Sequence, residues 1–551
     1  MRWLQSYSGV RSALEGGVTR EDEAFAYRHA YCYALSRLQA HPSTSARLVL
    51  ARDPRPSGGA IAAAQARGLA RACHDLGVSL DLLRLGVVTT PVWQHAVRQF
   101  EAHGGVMITA SHNPITDNGW KYATGIETFG VDPAPPGALL SAAEMGHLIR
   151  AANAFSPAVI DDATAGIVIE EDGAIREAAI AHYLGFIASA YRASAPGARV
   201  VVDPNGGAAS TIAARAFAAL GVEPIVINAT EGAVAHEIDV EQVRGDGTHV
   251  LHDLAERVRR EGALFGLAYD FDADRGNLTF VDANGAAQIP SPQAAAAINT
   301  AIALAVHVRS GDTRPAVVIA SDATSCRVRQ IAAAFGAAVV EVETGEINVV
   351  TAMRDEERRG RRAVVGVEGP NGGTIFAGTT CRDGSLVGAG ALLAAADAEL
   401  RDIIARTLAP GTAMAPGLSG CMAMLPAQRS IMRKCAAPAD WAATVAHLDA
   451  AFPRAFAQGR AGTWAGFEIV YSYTRYSGPD KPAAAGYGWK ARLTRPGADG
   501  FLWIRGSKTE IGVARVVGDG PDETTARALV DLGRELLESR EPGRLIGALD
   551  L

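Results

Sequence analysis

The chain has 551 residues, 48% hydrophobic and 20% charged, with 59 Gly and 26 Pro. This is ordinary globular composition with room for about three to four domains. Lys and Arg number 52 against 59 Asp and Glu, a net charge of -7. That balance excludes a general polyanion binder, so no nucleic-acid partner is expected, while a local basic pocket stays open.

The opening "MRWLQSYSGVRSALEGG" has no apolar core segment, so no signal peptide is expected. Cys32, Cys73, Cys326, Cys381, Cys421 and Cys435 are far apart and form no CxxC. They read as reduced thiols of a reducing compartment, and the expected location is cytoplasmic. "RLVLARD" (Arg47–Asp53) reads as a strand, and "SGGAIAAAQARGLARACHDLG" (Ser57–Gly77) as a helix opened by a serine cap and closed at Gly77.

Next comes "GVMI" followed by "TASHNP" (Thr109–Pro114), which sets Ser111 at the carboxyl end of a strand, where α/β sheets place their ligands. The hydroxyl is a candidate nucleophile or phosphate carrier. An acyl-transfer serine would call for G-x-S-x-G, which is not present here. His112, adjacent in sequence, points away from Ser111 in an extended loop and is a poor base for it.

The strand–helix beat repeats at "ARVVVDP" (Ala198–Pro204) before the helical "AASTIAARAFAALG". After "LFGLA", the segment "YDFDADRGN" (Tyr269–Asn277) carries Asp270, Asp272 and Asp274. In extended geometry these alternate residues point the same way, and three like charges call for a cation. Carboxylate oxygens suit Mg2+. An EF-hand is excluded by Arg275 at its sixth position and Val281 at its twelfth. The Asp-x-Asp pair of haloacid dehalogenases is a better rival.

"AAAAINTAIALAVHV" (Ala294–Val308) is too short and polar to span a bilayer and reads as a core helix, so no membrane partner is expected. "PAVVIASDA" (Pro315–Ala323), "SCRVRQIAAAFG" and "AAVVEVET" give strand, helix, strand. After "RRAVVG", the loop "VEGPNGGT" (Val367–Thr374) offers Glu368 and Asn371 for sugar hydroxyls, with glycines such as Gly372 allowing close approach. After "FLWI", the loop "RGSKTE" gathers Arg505, Ser507, Lys508 and Thr509, with Arg515 close behind. Guanidinium forks and hydroxyls suit a phosphate dianion. Continuous apolar strands between helices imply mainly parallel sheets covered on both faces. Pro/Gly clusters divide the chain into three α/β units and a C-terminal α+β unit.

Taken in this order, "TASHNP", "DFDADR" and the two later loops resemble the α-D-phosphohexomutase superfamily of phosphoglucomutases, phosphomannomutases and phosphoglucosamine mutases. Smaller matches are "SYSGVR" (Ser6–Arg11), "ARDPRPSG" (Ala51–Gly58), "VVTTP" (Val87–Pro91) and "NGWK" (Asn118–Lys121). The resemblance implies three similar α/β domains with mixed, mainly parallel sheets and a smaller α+β domain around a central cleft. The corresponding expectation is domain I at 1–160 with the phosphoserine loop, domain II at 161–287 with the metal loop, domain III at 288–410 with the sugar loop and domain IV at 411–551 with the phosphate loop.

It further implies that Ser111 is a phosphoserine and that Asp270, Asp272 and Asp274 hold Mg2+ with the Ser111 phosphate. Arg275 steadies that loop beside the substrate. Glu368, Asn371 and Gly372 meet the sugar, and Arg505, Ser507, Lys508, Thr509 and Arg515 clasp the phosphate that stays. Arg11, Lys121 and His112 complete the catalytic set. The implied activity interconverts hexose 1-phosphate and hexose 6-phosphate, with hexose 1,6-bisphosphate as intermediate and activator; a phosphoglucosamine or acetylglucosamine-phosphate substrate is the alternative. The chain departs from the family's sugar loop at Pro370 and Asn371, and from its phosphate loop at Lys508 and Ile511. A non-catalytic sugar-phosphate binder and an Asp270-based hydrolase are the competing classes. Oligomeric state stays open between a monomer and a small homo-oligomer.

Overall fold

The structure is a computed structural model that describes residues 3–39, 44–126, 134–155, 170–236, 243–244, 247–471, 488–507 and 512–539. The chain divides into two compact units. The first takes Met1–Pro290, Gly373–Ile403 and Ala413–Ala423; the second takes Ser291–Gly372, Ile404–Thr412 and Met424–Leu551.

Two sheets organise the first unit. One contains β1 (Leu4–Ser6), β2 (Gly9–Ala13), β3 (Ser45–Arg52), β4 (Ser79–Val87), β5 (Gly104–Ile108) and β6 (Asp117–Thr124), in the order β1-β2-β6-β5-β3-β4. β3 is parallel to β4 and β5, and β6 is antiparallel to β5 and β2. The helices Arg20–Leu38 and Gly58–Asp75 share one core with this sheet, including Phe25, Tyr33, Ile61, Leu69, Val106 and Trp120. Thr19 opens the first of these helices with a capping box, exchanging hydrogen bonds with Asp22.

The other sheet contains β7 (Arg199–Asp203), β8 (Glu223–Val226), β9 (Gly266–Tyr269), β10 (Gly276–Val281) and β11 (Ala287–Gln288), ordered β11-β10-β9-β7-β8. β7 is parallel to β8 and β9, and β10 turns back antiparallel to β9. The single helix expected after β7 is instead a 3-10 turn, Ala208–Thr211, followed by a short helix, Ala213–Ala219. The cause is local: Ala208 N–H donates to Phe271 O at 2.9 Å, and the Thr211 hydroxyl donates to Ala208 O at 2.8 Å. Both bonds hold the first turn out of α geometry.

In the second unit, β12 (Ala316–Ser321) lies between β13 (Ala338–Val342) and β14 (Arg362–Glu368) and runs parallel to both. Their faces are covered by Pro292–Ser310 and Cys326–Ala334 through Ala297, Leu304, Val318, Ile331 and Val365. β15 (Gly373–Phe376) belongs to the first unit. The last sheet, β16 (Arg429–Ala436), β17 (Gly466–Tyr471), β18 (Trp489–Arg495), β19 (Ala498–Gly506) and β20 (Val513–Gly520), is antiparallel throughout, ordered β16-β20-β19-β18-β17. The helices Trp441–Ala457 and Glu523–Glu538 pack on it. Three mixed sheets, each with a parallel core, and one antiparallel sheet make a multi-domain α/β architecture. All six cysteines are free, five of them buried. Among the described residues, no helix is long and apolar enough to cross a membrane.

Candidate functional site

The serine loop leaves β5 at Ile108 and re-enters the sheet on β6 at Asp117. Ser111 is buried and its backbone is left-handed, with φ +57. A non-glycine residue rarely adopts that torsion, so the surroundings must enforce it. They do so through Arg55, whose side chain is fully buried. Its guanidinium donates to Ser111 O and Asn113 O at 2.7 Å each, to Asp117 O at 2.7 Å and to Pro114 O, while Nε meets Asp53 Oδ2 at 3.0 Å. Ser111 N–H donates to Thr109 Oγ1 at 2.8 Å. Arg55 also lies 5.0 Å from the centre of the Phe271 ring, between Asp270 and Asp272 in sequence, so the serine and acidic loops share one organiser. His112, half-buried, takes the next position in the turn.

Asp270, Asp272 and Asp274 converge, each offering an oxygen within 4.8 Å of the others. Their convergence does not come from strand alternation, because β9 ends at Tyr269. The loop instead turns, closed by Ala273 N–H to Asp270 O at 3.0 Å, with Ala273 left-handed at φ +60. The turn, not a period of two, brings the three carboxylates together.

Each carboxylate has a nearest cation, and Asp274 also has Lys121 at 3.4 Å and Arg275 at 3.7 Å. Arg275 Nε meets Asp270 Oδ2 at 2.8 Å, Lys121 Nζ meets Asp272 Oδ2 at 2.8 Å, and Arg382 Nη2 meets Asp274 Oδ2 at 2.5 Å. Thr90 Oγ1 also donates to Asp272 Oδ2 at 2.9 Å. Burial first, and then Asp274, push Asp270 up to about 7, with Arg275 opposing. Burial pushes Asp274 the same way, but Arg382, Lys121 and Arg275 outweigh it and hold that group well below the usual carboxylate range. Burial lowers Arg11 to about 10, with the field of Asp272 opposing. Arg11 reaches the site along β2, directly beside β6.

Asp272 Oδ1 and Asp274 Oδ1 are buried and have no hydrogen-bond partner among the described residues. Buried acceptors without donors are costly. Two such oxygens beside a third carboxylate are a set that suits a hard divalent cation.

The second unit holds the remaining predicted residues. Glu368, buried at the end of β14, accepts from Gly345 N–H at 2.8 Å. A 3-10 turn, Gly369–Asn371, follows, and Gly372 closes it at φ +69. A Cβ at Gly369 would fall 1.9 Å from Gln293 Oε1, which explains the glycine. Arg505 is buried, pairs with Glu343 at 3.2 Å and donates to Thr344 O at 3.2 Å. It stands directly opposite Arg515 across β19 and β20. Like charges so placed repel unless an anion lies near them. Ser507 N–H donates to Val513 O at 2.7 Å. Lys508 and Thr509 lie outside the described residues. The sequence reading did not single out Arg382, Thr90 or the full reach of Arg55 as site residues; "CRDG" and "VVTTP" give no sign of partners more than a hundred residues away.

The family model described as "Phosphoglucomutase/phosphomannomutase, alpha/beta/alpha domain I" matches residues 6–128, and its domain III counterpart matches residues 298–409. The phosphoglucosamine mutase of Lactobacillus gasseri is 35% identical over 280 residues, 50% of this chain and 55% of that protein. Over these segments the chain resembles the α-D-phosphohexomutase superfamily. Among superfamily members, the phosphoglucosamine mutase of Mycobacterium ulcerans is 35% identical over 242 residues, covering 43% of this chain and 47% of that one. The chain thus spans about half the length of the curated relatives it matches. A phosphoglucomutase/phosphomannomutase family protein from Burkholderia thailandensis shares the fold, with TM-score 0.67, 20% identity and 98% coverage of both chains. The Paramecium phosphoprotein pp63/parafusin does so as well, with TM-score 0.65, 15% identity and coverage of 97% and 94%.

Proposed function

We propose that this chain is an intramolecular phosphotransferase that interconverts hexose 1-phosphate and hexose 6-phosphate through a phosphoserine at Ser111. The observation that carries the proposal is the joining of a strained, buried serine loop to a carboxylate triad with two open buried oxygens, through Lys121 and Arg55. Mg2+ is the proposed cation, held by Asp270, Asp272 and Asp274 together with the Ser111 phosphate, and it supplies charge neutralisation to a phosphoryl group in transit.

The chain's own residues then divide the work. Ser111 Oγ carries the phosphoryl group, with roughly 1.5 to 2 negative charges. Lys121 and Arg11 flank it and balance charge as the group leaves for a sugar hydroxyl. Lys121 is the better proton carrier of the two, because an ammonium gives up its proton more readily than a guanidinium. The bisphosphorylated sugar then turns over and returns its other phosphate to Ser111. Glu368 and the loop through Asn371 and Gly372 orient the sugar. Arg505, Ser507 and Arg515, with Lys508 and Thr509, clasp the phosphate that stays.

Asp270 is poorly suited to nucleophilic hydrolysis: Arg275 occupies both of its oxygens, at 3.0 Å and 2.8 Å. Among sugars, an amino-sugar phosphate is favoured, because the relatives at 35% identity are named phosphoglucosamine mutases. Glucose and mannose phosphates form the second reading, supported by the phosphoglucomutase/phosphomannomutase description of the matching family models.

The test is a panel of glucosamine, N-acetylglucosamine, glucose and mannose 1-phosphates with Mg2+ and a trace of the matching 1,6-bisphosphate. Isomerisation without phosphate release is the expected result, fastest for glucosamine. Ser111→Ala should lose more than about a thousandfold in turnover while unfolding at the wild-type denaturant concentration. Full turnover by that variant, or phosphate release without isomerisation, would overturn the proposal.

A further inference from the structure

The three carboxylates of the acidic loop share three protein cations, and the three cations are not equivalent: Asp274 is met by Arg382 at 2.5 Å, by Lys121 at 3.4 Å and by Arg275 at 3.7 Å. Arg275 belongs to the loop itself and donates to Asp270 through both backbone and side chain. Lys121 comes from β6 in the serine-loop sheet. Arg382 arrives from another part of the chain, 108 residues beyond its partner Asp274.

Its position is built, not incidental. Asp383 caps the helix Gly384–Ala396 by accepting from Ser385 N–H at 2.9 Å and Leu386 N–H at 3.0 Å, and Tyr183 donates to both Asp383 oxygens at 2.8 Å. The same helix start docks on the acidic loop: Gly384 N–H donates to Ala273 O at 3.3 Å. A Cβ at Gly384 would lie 2.7 Å from Arg275 O, so only glycine allows this approach. Arg382, one residue before the cap, is thereby delivered onto Asp274. It shares Oδ2 with Lys121 and leaves Oδ1 of the same carboxylate buried and without a hydrogen-bond donor among the described residues, with Arg275 Nε 3.7 Å away.

We infer that Arg382 is the internal counter-cation of Asp274: it balances this carboxylate's charge when no divalent ion is bound and sets how tightly one binds. The inference rests on the reading of the triad as a divalent-cation site. Arg382 holds Asp274 by Oδ2, and it places a positive charge beside any cation that binds to that carboxylate. Asp270 and Asp272 are met in the same way by Arg275 and Lys121, but Arg275 belongs to the acidic loop and Lys121 to the serine-loop sheet, whereas Arg382 comes from neither. It is a positioning residue, acting on the cation through Asp274.

The test measures Mn2+ binding to the full chain by calorimetry and by the loss of the free-ion paramagnetic signal, with thermal unfolding scanned with and without Mn2+. Arg382→Gln should bind Mn2+ about tenfold tighter than wild type, because a positive charge that repels the ion and competes for Asp274 is gone. Its unfolding temperature without Mn2+ should fall below that of wild type, and Mn2+ should raise it by a larger increment. Arg382→Lys should restore the wild-type affinity. Thr90→Val, which removes a neutral donor from Asp272, should not tighten binding. Equal or weaker binding by Arg382→Gln overturns the inference while leaving the cation site intact. No Mn2+ binding by wild type or any variant overturns the triad reading itself. If Arg382→Gln and Arg382→Met both fail to fold even with Mn2+ present, Arg382 belongs to the fold alone and the inference falls.

Discussion

Arg55 commits its whole guanidinium to backbone carbonyls of the serine loop and to Asp53. Burial raises the Asp53 pKa against the pull of Arg55, so removing Arg55 would strand a buried carboxylate. Arg55→Ala should cost about 3–5 kcal/mol in chemical denaturation. Arg55→Lys keeps the charge but loses the fork, and should cost about 1–3 kcal/mol. It should also abolish phosphoryl exchange, because a single ammonium cannot hold so many carbonyls at once. A Lys variant with normal exchange would show that the loop holds its torsion unaided. Ser111 and the three aspartates were legible as short words in the sequence, since their chemistry and spacing are local. Arg382 and Thr90 were not, because a side chain that acts through a distant partner leaves no local pattern. The aspartates' convergence was assigned to the wrong cause, because the rule of two applies only while the chain remains a strand.

The helix Arg20–Leu38 docks on its sheet through an aromatic cluster. Trp3 lies 4.8 Å from Trp120, Phe25 lies 4.6 Å from His29, and His29 lies 5.6 Å from Trp120, ring centre to ring centre. His29 Nε2 bonds Gln5 Oε1 at 3.1 Å. Burial first, then Arg28, lowers the His29 pKa from 6.5 to about 3. The folded value lies below the unfolded one, so the unfolded chain binds a proton first as pH falls. Stability should therefore be full above 6.5 and decline as pH drops from 6.5 towards 3. His29→Gln should flatten that part of the stability–pH curve, measured by denaturant midpoints; an unchanged slope would place the titration elsewhere. Strand and helix alternation was readable because apolar runs are local signals; the serine cap expected at Ser57 does not form, because its hydroxyl accepts from Asn118 Nδ2 at 2.9 Å and makes no capping bond to the helix. The broken helix after β7 was not readable, because the bond that breaks it comes from Phe271, far along the chain.

At the scale of the whole molecule, the second unit joins its parallel and antiparallel sheets through buried polar groups. Lys490 donates to Asp322 O at 2.7 Å and Glu341 Oε1 at 3.1 Å, and Trp503 Nε1 donates to Asp322 Oδ2 at 2.8 Å. Arg492 adds a bond to Glu341 at 2.7 Å. Burial favours the neutral acid at Glu341, but Lys490, Arg492 and Arg329 outweigh it and bring the pKa from 4.5 to about 2. The stability this supplies is complete above 4.5 and lost as pH falls through about 2. Glu341→Gln should lose on the order of 2–3 kcal/mol at neutral pH and none near pH 2, read from tryptophan fluorescence during unfolding. Equal losses at both pH values would show that packing, not charge, joins the sheets.

The left-handed torsion at position 111 separates two alcohols that solution chemistry treats as near equals. Threonine carries the same hydroxyl, but its branched β-carbon crowds a backbone turned this way. The polypeptide's geometry thus selects a primary alcohol over a secondary one before any substrate arrives.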